Sequence, residues 1–177
     1  GGHLALRRTE TRDGREVVTI TLFWEYLMTG QADAREEVVH EYVHAVHRLH
    51  LERAAYARVP RWVREGLALW VAQQGPARLG WLLQDNIEAG PAVLVDGLED
   101  RADDFDDYAE DWLAFQYVED EHGAERLQAV ARDLLTGARE WPEAIRAHTG
   151  EDAATFLDNA RRYSRSAVRL AENDLRD

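Results

Sequence analysis

Polar and apolar residues alternate only as far as Trp24; from Asp33 onward apolar residues recur at helical spacing, which limits this chain to a mostly helical fold with one small β element. Leu4 to Arg8 and Glu16 to Trp24 carry β-favouring residues on either side of Arg12-Asp13-Gly14-Arg15, so two strands joined as a hairpin are predicted. Asp33 followed by Glu36 reads as a capping box that opens a helix reaching about Ala55. Pro60 suits the first turn of a second helix to about Gln74, closed by Gly75-Pro76. A third helix is predicted from Leu79 to Ala89, then a strand or extended loop from Ala92 to Leu98. Further helices are predicted at Asp104 to Gly123, Ala124 to Thr136, Pro142 to His148 and Asp152 to Leu170. No repeat or linker interrupts the 177 residues. The expectation is one α+β domain: a β-rich start (1–32), a pair of helices carrying the histidines (33–75) and a helical remainder (76–177).

Composition narrows the chemistry. The chain has no cysteine, which rules out disulfides, thiolate metal sites and Cys nucleophiles, so any metal must be held by His and carboxylate. A formal charge of −13 argues against nucleic acid, whose phosphates need a concentrated basic footprint. No apolar run approaches the roughly 20 residues that span a bilayer. The chain opens at Gly1-Gly2 rather than Met, which leaves room for an upstream signal or anchor and favours a secreted, periplasmic or membrane-tethered setting.

Residues 40 to 44 read His40-Glu41-Tyr42-Val43-His44, the H-E-x-x-H pattern, inside the long predicted helix. Side chains four apart on a helix point the same way with Cβ atoms about 5–6 Å apart, so two imidazoles can converge on one ion. Glu41 is turned by about 100° from His40, near enough to reach a water at the metal but badly placed to ligate. The bland alternative is an amphipathic helix that merely carries packed histidines. A catalytic zinc site wants a third protein ligand, and two residues compete. His50 has the offset of the third histidine in the metzincin pattern, but His47 stands where that pattern has a helix-breaking glycine. On a continuous helix His50 would lie about 15 Å along the axis from His40. The sole methionine, Met28, also precedes the motif instead of following it. The second candidate is Glu65, 21 residues beyond His44, on a helix that a short connection would fold back against the first. Gly66 beside it would permit close approach of those two helices.

Together, H-E-x-x-H and Pro60-Arg61-Trp62-Val63-Arg64-Glu65-Gly66-Leu67-Ala68 resemble the gluzincins, the thermolysin-like zinc peptidases, and especially the small bacterial peptidase MA-like domains. Tyr108-Ala109-Glu110-Asp111-Trp112 through His122-Gly123 is similar to that family's Tyr-led helix, and the likeness runs from about residue 17 to 160. The resemblance implies a zincin-type fold, one Zn2+ ion on His40, His44 and Glu65, Glu41 as general base, and a peptide or protein substrate. It nominates Tyr108 as oxyanion donor, against a packed structural tyrosine, with His122 and His148 behind it. Where thermolysin has an Asp partner for a ligand histidine, four residues after the glutamate, Leu69 stands here, so another group must support the histidines. No Gly-x-x-Glu-Asn-like segment precedes the motif, which favours endopeptidase over aminopeptidase activity. The rival reading is a non-catalytic interaction module with a structural or lost zinc site, against which the presence of Glu41 counts.

The remaining features have readings of their own. Val17 to Trp24 is either the edge along which substrate adds as a strand or an ordinary hairpin strand. His47 is expected to be packed behind the ligand pair, and His3 exposed on the first strand. The acidic run Asp96, Glu99, Asp100, Asp103, Asp104, Asp106 and Asp107 lacks calcium-loop spacing and reads as a solvated helix start. The tryptophans read as core, with Trp62 set apart by its nearness to Glu65.

Overall fold

The alternating segment folds back on itself at Asp13, whose φ of 51° is the left-handed value that a two-residue Asp-Gly hairpin turn demands. Strand β1 (Ala5–Arg12) pairs antiparallel with β2 (Arg15–Leu22), in a register running from Ala5 opposite Leu22 to Arg12 opposite Arg15. From Val18 to Thr21 along β2, Val18 and Ile20 are half-buried while Thr19 and Thr21 are exposed, the period-two signature of a sheet with one covered face. This computed structural model describes residues 5–13, 15–22, 33–77, 79–80, 83 and 106–174.

The rest of the described chain is helical: α1 (Ala34–His50), α2 (Arg53–Arg58), α3 (Arg61–Ala72), α4 (Asp106–His122), α5 (Ala124–Thr136), α6 (Trp141–Thr149) and α7 (Ala153–Asp174). Asp33 caps α1 as the sequence suggests, its carboxylate accepting from the backbone N–H of Arg35 at 2.7 Å and of Glu36 at 3.3 Å. The helix stops at His50, short of the expected Ala55. Leu51 is extended, the Arg48 guanidinium donates to its carbonyl at 3.0 Å, and its side chain packs where a Cβ on Gly137 would fall. Tertiary packing against the α5–α6 turn thus overrides local helix propensity.

Helix α3 starts after Pro60, as expected, and ends at Gln73, which takes the left-handed conformation (φ 60°) more often given to glycine. Gly75 and Pro76, read from sequence as a stop, instead lie in a helical stretch over 75–77 and 79–80. The expected segments at 84–89 and 92–98, and most of the acidic run, lie outside the described residues, as do His3 and Met28.

Helix α3 is buried nearly all round and packs against both α1 and α4. At its centre Trp62 stacks on Phe156 of α7 (5.9 Å), meets Trp141 of α6 edge-on (5.2 Å) and tilts against Phe115 of α4 (6.2 Å). Trp62 is therefore a core residue, not part of a ligand box. A smaller cluster of Leu83, Ala109, Leu113 and Val168 closes the far end of α4 and α7. The hairpin lies on α1. The close approach assigned to Gly66 is real but has a different partner: a Cβ there would sit 2.2 Å from the Asp111 carbonyl oxygen, so glycine lets α3 press against α4 rather than α1.

Candidate metal centre

Helix α1 is amphipathic in an unusual sense, since its buried row is polar. Glu37, His40, His44 and His47 follow one another at helical spacing and are all buried, while Tyr42 and Leu49 remain 61% and 56% exposed. Sinking four polar side chains along one row is unfavourable by several kcal/mol, roughly 1–3 per group, unless each gains a partner. Glu37 gains an ordinary one: the Gln74 side-chain amide donates to its Oε1 at 2.7 Å, tying α1 to the end of α3. The His47 ring packs edge-on against Tyr56 at 5.3 Å.

His40 and His44 turn toward each other and toward Glu65. Their Nε2 atoms are 3.1 Å apart, and Glu65 Oε2 lies 3.2 Å from His44 Nε2 and 3.4 Å from His40 Nε2. The rings stand almost perpendicular, at 78°, so both nitrogens address one point. Glu65 arrives because α3 begins at Pro60 and its second turn faces α1. Burial alone would push its carboxyl up, yet the hydrogen bonds from His40 and His44 outweigh that and hold it well below the usual carboxylate range.

With the two ring nitrogens deprotonated, the three atoms form a group that could hold a metal ion, His40 and His44 buried and Glu65 half-buried. Tetrahedral coordination with bonds of about 2.0–2.1 Å separates neighbouring donors by about 3.3–3.4 Å, and the three separations found here bracket that edge length closely. Two imidazoles and a carboxylate suit zinc, and three protein donors leave a fourth direction open. Among the described residues no other group of three or more His, Asp or Glu side chains converges in this way. Support from behind is thin: His40 Nδ1 and His44 Nδ1 are buried and have no hydrogen-bond partner among the described residues. Leu69, where a carboxylate partner would be expected, is fully buried.

The other residues singled out by sequence are spread more widely. Glu41 is half-buried beside the histidine row, and among the described residues nothing hydrogen-bonds or ion-pairs with its carboxylate. Tyr108 lies in the first turn of α4, half-buried, with the Arg61 guanidinium 4.7 Å from its ring centre. Burial would lower the pKa of Arg61, but the Asp111 charge and a hydrogen bond with Tyr108 raise it instead. Arg61 is one turn before Glu65, so this cation links Tyr108 to the helix that carries Glu65. His50 is exposed at the end of α1 and joins no metal-ligating group among the described residues. His122 lies 3.7 Å from Glu151 Oε1, and His148 is 2.7 Å from Asp133 Oδ2. His122 thus ties the end of α4 to the α6–α7 connection, and His148 ties α6 to α5. Reading by motif overlooks Arg61, Asp111 and the Glu37–Gln74 pair; the last was signalled by Glu37 falling one turn before His40 on the same row.

No protein-family model, curated protein or solved structure matches this chain.

Proposed function

We propose that this chain is a zinc-dependent endopeptidase of gluzincin type, built on a zincin-like α+β fold. One observation carries the reading: the donor atoms of His40, His44 and Glu65 stand 3.1 to 3.4 Å apart, the edge lengths of a zinc tetrahedron, one residue from a carboxylate without another partner among the described residues. When bound, a zinc ion in such a site lowers the pKa of coordinated water to about 7 and polarises a carbonyl oxygen. The chain supplies the rest. The Glu41 carboxylate takes a proton from the attacking water as the new C–O bond forms, then delivers it to the amide nitrogen as the C–N bond breaks, a role worth about 10²- to 10⁴-fold. In this reading the Tyr108 phenol, oriented by Arg61, donates to the oxyanion that develops on the carbonyl. An extended substrate adds as a further strand along β2 of the hairpin, where backbone hydrogen bonds give affinity for any sequence. A secreted, periplasmic or membrane-tethered setting fits this activity.

A second reading, a non-catalytic module with structural zinc, is favoured by the unsupported Nδ1 atoms of His40 and His44. The two separate in one experiment: zinc content and cleavage of unfolded casein, measured for the unaltered chain and for Glu41→Gln. The peptidase reading expects zinc retained in both and cleavage reduced by about 10²- to 10⁴-fold in the variant. Cleavage unchanged by the substitution removes Glu41 from its role. Stoichiometric zinc with no cleavage in either form supports the module.

A further inference from the structure

One turn beyond His44, a partly open cavity of about 410 Å³ lies between the α1–α3 connection and the turn from α5 to α6. That volume falls within the range of about 300–1,000 Å³ typical of small-molecule sites. The cavity shares no residue with the His40–His44–Glu65 group, so its chemistry is independent of any metal held there. Its walls are mixed: Leu51, Val59 and Trp141 give it an apolar part, and the buried His47 imidazole is among its polar groups.

Charge is distributed unevenly around this space. In a chain of net charge −13, the cavity lining carries two guanidinium groups, Arg58 and Arg139, against one carboxylate, Glu140. Arg139 is shared with Asp133, whereas among the described residues Arg58 is paired with no carboxylate. Pro60 and Glu140, the residues that start α3 and α6, also line the cavity, and neither helix has a side-chain cap, so the positive ends of both dipoles add to the same field.

We propose that this cavity binds a small organic anion, a carboxylate on a short aliphatic or aryl body. The body lies between Leu51, Val59 and Trp141, and the carboxylate faces the Arg58 and Arg139 guanidiniums, whose planar forks suit it. A neutral molecule of the same shape gains the apolar contact but not the charge-assisted hydrogen bonds.

The test is a two-dimensional amide NMR titration of the 177-residue chain with hexanoate, and with hexanamide as the neutral isostere. Hexanoate is expected to shift the amides of Leu51, Val59 and Trp141 saturably, with hexanamide at least about 5-fold weaker. Arg58→Gln, an exposed change on α2, is expected to weaken hexanoate about 5-fold and leave hexanamide unaltered. Ala55→Phe, which fills the cavity, is expected to abolish both responses while the rest of the spectrum stays folded. Absence of saturable shifts, equal affinity for the two probes, or hexanoate binding untouched by Arg58→Gln overturns the proposal. So does tighter binding of an acetylated tripeptide ending in leucine than of hexanoate, since the site would then belong to a peptide terminus.

Discussion

A carboxylate held by an arginine and a histidine reports its surroundings through pH. Asp133 on α5 accepts from His148 Nε2 at 2.7 Å and pairs with Arg139. Burial would raise its pKa, but these two partners outweigh it and the value is lowered. A folded pKa below the unfolded one means that the stabilisation is complete above the unfolded value of about 3.9 and disappears as pH falls through the folded one. Asp133→Asn is therefore expected to lower the urea midpoint at neutral pH and to flatten its decline below about pH 4. A decline as steep as that of the unaltered chain counts against the pairing. At this scale the histidine motif is easy to read, because residues four apart on a helix meet whatever surrounds them. The Arg61–Tyr108 contact is not, because it joins residues 47 apart and depends on how α3 and α4 cross.

Between elements, distance of approach is the deciding quantity. Gly66 lets α3 press so closely on α4 that an added Cβ would stand 2.2 Å from the Asp111 carbonyl oxygen and 2.8 Å from Phe115. Backbone cannot yield as a flexible side chain can, so Gly66→Ala is expected to cost about 1–3 kcal/mol in urea unfolding. The same shift would carry the neighbouring Glu65 away from the histidines. A variant as stable as the original would show that the helices have room to spare. The hairpin turn, the Asp33 cap and the Pro60 start are legible because each is a local interaction within four residues. The end of α1 at His50 is not, since Leu51 is drawn out by Gly137, 86 positions along the chain. Nor is the partner of Gly66, because glycine announces a close approach without naming what approaches.

In the molecule as a whole, one indole links the helix that carries Glu65 to three others. Trp62 touches Phe115, Trp141 and Phe156, on α4, α6 and α7 respectively. Trp62→Ala is expected to cost about 3–5 kcal/mol, read from the denaturant midpoint, because so rigid a cluster cannot collapse into the space left. A loss below about 1 kcal/mol would mean that the core repacks freely. A mostly helical build was readable from the change of hydrophobic period at Asp33, but helix order in space was not, since periodicity says which face is buried and not against what. Yet the candidate centre depends on that order: only when α3 lies along α1 does Glu65 reach the polar row. The most direct measurement is a competition titration of zinc into the unaltered chain, His44→Ala and Glu65→Ala. The expected result is one ion per chain, lost with His44 and weakened at least about 100-fold without Glu65. No stoichiometric binding, or equal affinity in all three, would contradict it.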